Sequence, residues 1–186
     1  MTSKRRRVLK AALGAGLGWL MHEAAMAQAE PRNARPQEGD RFVFAGGDRK
    51  GVIVTPGDLP LGGPQIIAFP QDPRSAIVRD GSRLNQVLLI RFEAAELAEA
   101  TRSRAPQGIV AYSAVCTHAG CDEWAWRSEQ KMLKCPCHDS EFDPKDGARV
   151  SSGPAPRRLA ALPLKVEDGV VMAAGGFVGR VGFQSV

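Results

Sequence analysis

The sequence predicts an all-β protein, an antiparallel sandwich or small barrel. Three observations predict it. Short β-rich runs recur, each is bounded by Gly, Pro or Asp turns, and only one segment has helical composition. In chain order the runs are Arg41 to Phe44, Val52 to Val54, Gln65 to Phe69, Gln86 to Phe92, Ile109 to Ser113, Leu162 to Val166 and Val170 to Ala173. Residues Glu93 to Thr101, rich in Ala, Glu and Leu, predict a short helix between strands. Between Ala114 and Pro156 the β pattern is interrupted by a stretch bearing all four cysteines and two histidines. A small lobe inserted into a larger β base has this signature.

At 186 residues the chain accommodates one domain with its own core. The formal charge of +5 is concentrated at one end, where residues 1–27 carry Lys4, Arg5, Arg6, Arg7 and Lys10 against Glu23. From residue 28 onward 20 basic and 19 acidic residues leave a net +1, which excludes a nucleic-acid partner. Lys4 to Lys10 resembles a twin-arginine pattern. It is followed by the Gly-loosened apolar run Ala11 to Met21 and the small-x-small site Ala25-Met26-Ala27. Cleavage after Ala27 and export of the folded protein to the periplasm are expected. The apolar stretch from Val8 to Met21 spans 14 residues, whereas a membrane helix needs roughly 18 to 20. An uncleaved leader would make it a membrane anchor. Residues 28–40, polar with two prolines, read as an arm ordered by docking or as a flexible tether. The domain proper then runs from 41 to 186, with the inserted lobe at about 114–156.

The lobe carries the chemistry. Cys116-Thr-His118-Ala-Gly-Cys121 and Cys135-Pro-Cys137-His138 lie within 23 residues. Taken as ligands, Cys116, His118, Cys135 and His138 form C-x-H and, after sixteen residues, C-x-x-H, so that two loops each supply one thiolate and one imidazole. This pairing resembles the Rieske iron-sulfur family, in which two thiolates hold one iron of a 2Fe-2S cluster and two imidazoles the other. The resemblance covers about residues 40 to 186. The fold it implies is an antiparallel β-sandwich base with a small cluster-binding lobe inserted.

Asymmetric ligation favours taking the electron on the histidine side. It also places such centres at about −150 to +300 mV, against about −400 mV for all-cysteine plant-type ferredoxins. Each imidazole keeps a second nitrogen that can hold or lose a proton, so the potential is expected to fall as pH rises.

The resemblance implies a disulfide between Cys121 and Cys137, joining the two loops in an oxidising compartment. In quinol-oxidising relatives CPCH is followed by Gly, Ser, a variable residue and Tyr, whose hydroxyls donate to sulfur and raise the potential. Here the run is Asp139-Ser140-Glu141-Phe142. Ser140 keeps one donor and Phe142 lacks the other, which implies a potential below that group and above the ferredoxins. Ala119 stands where those relatives usually have leucine, and Asp139 replaces glycine in a role that tolerates positive φ. Gly153-Pro154-Ala155-Pro156 matches the proline-rich loop that covers the cluster in the family.

Zinc in a tetrahedral site and two plain disulfides are the other readings of these cysteines and histidines. Neither accounts for CTHAGC and CPCH occurring together with Ser140 and the Gly-Pro-Ala-Pro loop. Trp124 and Trp126 are expected as strand residues, one packed inward. The carboxylates Asp122, Glu123, Asp143 and Asp146 are expected as a solvated face, or as a docking patch for a basic redox partner. Only His22 lies outside the two motifs, so neither a 2-His-1-carboxylate oxygenase site nor a Ser-His-Asp triad can be built, and no independent catalytic site is expected. The implied role is an electron-transfer subunit, like the small Rieske subunit of arsenite oxidase. It would work with a larger redox subunit and a cytochrome c type acceptor. A quinol-oxidising cytochrome bc Rieske subunit is the alternative.

Overall fold

A computed structural model describes residues 31–183. The leader expected at residues 1–27 lies outside them. Ten strands form two antiparallel sheets: β1 (Arg41–Phe44), β2 (Ile66–Gln71), β3 (Val87–Arg91), β4 (Ile109–Ser113), β5 (Ala125–Arg127), β6 (Met132–Cys135), β7 (Ser140–Asp143), β8 (Arg149–Ser152), β9 (Leu164–Glu167) and β10 (Val170–Ala173). The six-stranded base has the order β4-β3-β2-β1-β10-β9, and the four-stranded lobe has the order β5-β6-β7-β8. The lobe is wholly inserted between β4 and β9. The base curls until its ends meet, because Ser113 N–H donates to Ala160 O (2.8 Å) and Leu162 N–H to Ala111 O (2.9 Å).

Strands β3 and β4 explain how lobe and base share one molecule. In β3, Val87 and Leu89 face a core inside the base, whereas Leu88 and Ile90 face a second core beneath the lobe. In β4, Ile109 and Ala111 point one way and Val110 and Tyr112 the other. A strand covered on both faces needs an unbroken apolar run, as in Val87-Leu88-Leu89-Ile90. Truncating Leu88, Leu89 or Ile90 to Ala would cost about 2–5 kcal/mol. Tyr112 adds a polar tie, its buried hydroxyl donating to Pro144 O of the lobe at 2.7 Å. From the other side Gln65 donates to Trp124 O (3.3 Å). Gly63 lies so close to Trp126 that a Cβ there would sit 2.3 Å from its ring.

The expected elements of the base and the observed ones differ most at three places. Residues 52–54 contribute only a single bridge, Ile53 to Val43, although Val54 is buried. Residues Ala161 and Leu162 bond to β4 and to residue 178, so β9 begins only at Leu164, past Pro163, which has no N–H to give. The helix expected over Glu93 to Thr101 is broken into a 3-10 turn, Ala94–Glu96, and one α turn, Glu99–Arg102. Between them Leu97 takes an extended backbone to bury its side chain, and Ala98 N–H donates to Lys145 O of the lobe (3.0 Å). Tertiary burial overrides helix propensity here.

The described part of the N-terminal arm is docked. Arg79, buried, grips Asp40 with two hydrogen bonds (2.7 and 3.0 Å) and also reaches Pro31 O (3.3 Å). Asn85 donates to Ala34 O (2.9 Å), and Arg35 donates to Leu84 O (3.0 Å). Among the described residues no helix is long and apolar enough to cross a membrane.

Two consequences can be measured. Asp40→Ala leaves the Arg79 charge buried and unpaired, and is expected to lower the denaturant unfolding free energy by about 3–5 kcal/mol. In the turn that leads to buried Leu59, the Arg49 guanidinium holds the Asp58 carboxyl down to about 2, aided by Thr55. A carboxyl with a depressed folded pKa contributes stability that is complete above its unfolded pKa and lost as pH falls through the folded one. Asp58→Asn is therefore expected to remove on the order of 1 kcal/mol at pH 7, and to lose that deficit as the wild type is acidified from about pH 4 to pH 2.

Candidate metal centre

The first loop leaves β4 and closes on itself. Cys116 N–H donates to Cys121 O (2.8 Å), and Gly120 N–H donates to Cys116 O (3.0 Å). Gly120 has φ +76, a conformation other residues adopt only at a steric cost. Within the loop Cys116 and Thr117 are buried, and the Thr117 hydroxyl donates to Arg157 O (2.6 Å). His118 is half-buried and Ala119 is exposed.

The second loop is the turn of the β6–β7 hairpin, in which Cys135 pairs with Ser140. Cys135 and Ser140 are buried, while Pro136, Cys137, His138 and Asp139 stand in solvent. Asp139 takes φ +57, the positive backbone angle expected of a residue in glycine's place. Its carboxylate pairs with Lys134 Nζ at 2.7 Å, which holds its pKa below the usual range.

The two loops meet. Cys121 and Cys137 form a disulfide with Cα atoms 6.5 Å apart, while Cys116 and Cys135 remain free thiols. The rings of His118 and His138 lie edge to face with centroids 4.6 Å apart. Cys135 Sγ lies within 4.8 Å of both disulfide sulfurs. Since two of those three sulfurs are bonded to each other, they do not form a ligand set. All four candidate ligands and the disulfide thus gather at one end of the lobe.

The chemistry of this cluster of side chains fits a cationic iron-sulfur group. Burial pushes the Cys116 thiol up to about 11, and the adjacent Cys135 adds to the rise while the His118 backbone N–H opposes it. Two buried neighbouring thiols cannot both ionise unless positive charge joins them, as metal does. His118 Nδ1 is buried with no hydrogen-bond partner. An orphaned imidazole nitrogen at a buried edge costs free energy unless it binds something, and a metal ion takes such a nitrogen readily.

The Rieske [2Fe-2S] domain model matches residues 85–163, spanning β3, β4 and the lobe. Residues 85–163 form a Rieske domain. Over 122 residues it is 38% identical to a putative respiratory nitrate reductase Rieske subunit of Haloferax mediterranei, covering 64% of this chain and 52% of that one. Over 148 residues it is 31% identical to the cytochrome bc1 complex Rieske iron-sulfur subunit of Mycobacterium tuberculosis, covering 70% of this chain and 34% of that one. The chain therefore spans about half or less of the length of these curated relatives. A chain in a solved hyperthermophilic respiratory Complex III is 19% identical with a TM-score of 0.47, covering 92% of this chain and all of that chain (100%). The cofactor of the Rieske domain is a 2Fe-2S cluster.

The shell around the Rieske site mixes expected and unexpected residues. Ser140 Oγ accepts from Ala155 N–H (3.1 Å), so the Gly-Pro-Ala-Pro loop is fastened to the second loop. Phe142 is fully buried with its ring edge-on to Trp124 (centroids 5.6 Å apart). Trp124 lies just before β5 rather than in it, and its Nε1–H donates to Ala114 O (2.7 Å). Both tryptophans pack against the core beneath the lobe, where only one was expected to face inward. The reason is that β5 is short and the Trp124 ring reaches the core from the preceding loop. Of the lobe strands only β5 was anticipated, through Trp126; β6, β7 and β8 lie among the cysteine and histidine loops, where the β pattern reads as interrupted. Of the four carboxylates, Asp143 and Asp146 pair with Arg149 (3.7 and 2.6 Å). Thr117 and Arg157 escaped sequence reasoning. A hydroxyl-bearing residue between two candidate ligands was the only available signal for the first.

Gly153 is the tightest point of this shell. It has φ +87, and a Cβ there would lie 2.5 Å from Ser140 Cα and 2.8 Å from Asp139 O. Gly153→Ala is expected to lower the unfolding free energy by roughly 2–3 kcal/mol through backbone strain and forced separation of the two loops, measured by chemical denaturation.

Proposed function

We propose that this protein carries single electrons through a Rieske cluster held by Cys116 and Cys135 on one iron and by His118 and His138 on the other. The observation that carries the assignment is the buried, unpartnered Nδ1 of His118 beside two buried free thiols and a second imidazole. When bound, the cluster supplies a one-electron couple in the range of about −150 to +300 mV.

The chain's own residues do the rest. Cys116 and Cys135 lie in the dry interior, where water is excluded from their sulfur atoms. His118 turns Nδ1 inward, which leaves Nε2 at the outer edge to hold or release a proton. His138 stands in solvent and offers the same route. Electron uptake accompanied by proton uptake on these outer nitrogens makes the potential fall as pH rises. Ser140 accepts from Ala155 N–H, so its own hydroxyl proton is free to donate toward sulfur. Phe142 offers no hydroxyl at the position where a tyrosine would give a second donor. Gly153, Pro154, Ala155 and Pro156 form the cover, with Ala155 buried beneath its neighbours and two prolines contributing no N–H of their own.

The setting we infer is the periplasm, reached folded by the twin-arginine route from the signal at residues 1–27. There the protein would serve a larger oxidoreductase and pass electrons to a cytochrome c type acceptor. The Cys121–Cys137 disulfide supports an oxidising compartment, and the respiratory name of the Haloferax relative supports a larger partner. A Rieske subunit of a quinol-oxidising bc complex is the second reading, favoured by the mycobacterial relative. Ala119 at the exposed tip, lacking the leucine of quinol-oxidising members, speaks against it. The N-terminus of the mature protein separates them: cleavage after Ala27 belongs to the first reading, a retained membrane-held leader to the second.

The purified protein is expected to contain two irons and two acid-labile sulfides per chain, in keeping with the cofactor of the domain. Zinc, or no iron, would end the assignment. By voltammetry Ser140→Ala is expected to lower the midpoint and Phe142→Tyr to raise it. Each shift is expected at roughly 40 mV, the equivalent of one hydrogen bond of about 1 kcal/mol in a one-electron couple.

A further inference from the structure

Two arginines flank the first loop and are absent from any reading of the motifs. The Arg83 guanidinium, carried on the 3-10 turn Arg83–Asn85, donates to Gly120 O. Gly120 is the buried residue whose own N–H closes the loop onto Cys116 O. Arg157, immediately after the Gly-Pro-Ala-Pro cover, accepts the Thr117 hydroxyl on its backbone carbonyl and sends its Nη2 to Gly182 O in the C-terminal segment. Thr117 lies between Cys116 and His118.

The C-terminal segment, which Arg157 reaches through Gly182, packs against both the turn that carries Arg83 and the first loop. A Cβ on Gly182 would stand 3.2 Å from Leu84 and 3.3 Å from Val115, the residue preceding Cys116. The Phe183 ring lies over Gly120, whose Cβ, were it present, would be 2.4 Å from that ring. Turn 83–85, the first loop and residues 182–183 therefore form one packed unit.

Among the described residues neither arginine has a carboxylate within ion-pair distance, although twelve other pairs are formed. Both donate to neutral backbone carbonyls. Among the described residues no carboxylate compensates their charges, and a guanidinium cannot shed its proton at any ordinary pH. The Arg157 Nε is moreover buried without a partner, so part of that cation is shielded from water. Fixed positive charge beside a centre that gains an electron stabilises its reduced form. Asp122 and Glu123, next to Cys121 in sequence, act in the opposite sense. Arg83 and Glu123 are both exposed, so their influences are screened by salt, whereas Arg157 and Asp122 are half-buried.

We propose that Arg83 and Arg157 are positioning residues that clamp the first loop, Arg83 to its own turn and Arg157 to the C-terminal segment, and that their charge sets the midpoint potential upward. This inference rests on the proposed cluster assignment. It offers a compensation for the hydroxyl missing at Phe142, supplied from outside the second loop.

The test is the midpoint potential of the full-length, cluster-loaded protein by voltammetry, with iron and acid-labile sulfide counted for every variant. Arg83→Gln and Arg157→Gln keep a donor and remove the charge. Each is expected to lower the midpoint, changing the reduced-to-oxidised ratio at a fixed potential by roughly threefold or more at low salt and by less at high salt. Arg83→Lys and Arg157→Lys keep the charge and are expected to stay near wild type. Should the Gln variants fail to load, the wild-type midpoint itself is expected to fall as salt rises. Unchanged midpoints in loaded Gln variants, Lys variants as low as Gln variants, or a wild-type midpoint flat or rising with salt would overturn the proposal. A wild-type preparation without iron and sulfide would instead remove the cluster assignment and leave the clamp's geometry untouched.

Discussion

The disulfide between Cys121 and Cys137 is the constraint on which the site depends. It ties a loop that leaves the base at the end of β4 to a hairpin turn that belongs only to the lobe. Without such a tie the two loops would be joined through the chain between the cysteines, a sequence separation of 16, and through packing beneath the lobe. Cross-linking a loop of that length is worth about 3 kcal/mol on a chain-entropy estimate. More important for function, it holds a thiol and an imidazole from each loop within reach of one another while leaving Cys116 and Cys135 free.

Around that tie the site is graded from dry to wet. Cys116, Cys135, Ser140 and Phe142 are buried, His118 is half-buried, and His138 and Asp139 face water. The thiol side is thus the low-dielectric side, and the imidazole side is the one open to water. The base provides this gradient by packing its doubly covered strands β3 and β4 beneath the lobe, with Tyr112 and Gln65 as polar ties between the two. The Gly-Pro-Ala-Pro loop and the C-terminal segment each press on one of the two loops, at Ser140 and at Gly120.

Much of this was legible in the sequence, for reasons that can be named. Strands β1, β4 and β10 fall on the runs that predict them, because each apolar run is cut cleanly by a turn residue or a polar neighbour. The two motifs gave the gathering of four cysteines and two histidines, since Cys and His at that spacing have few other uses. Strands β6, β7 and β8 were hidden because their few residues are interleaved with polar and ligand-bearing positions that blur the alternation. Only Ser140-Glu141-Phe142-Asp143, with alternate residues buried, shows the pattern in retrospect. The docking of the arm was also hidden, since it depends on Asp40 and Arg79, 39 residues apart, finding each other in the interior. The roles of Thr117, Arg83 and Arg157 rest on contacts to backbone carbonyls, which leave no mark in a motif.

The central claim is that nitrogen from two imidazoles and sulfur from two thiolates hold the same cluster. It is tested most directly by pulsed EPR on dithionite-reduced protein grown with 15N-histidine. Two strongly coupled histidine nitrogens, both responding to the isotope, are the expected result. A reduced signal with no histidine nitrogen coupling, as from an all-cysteine cluster, would contradict it.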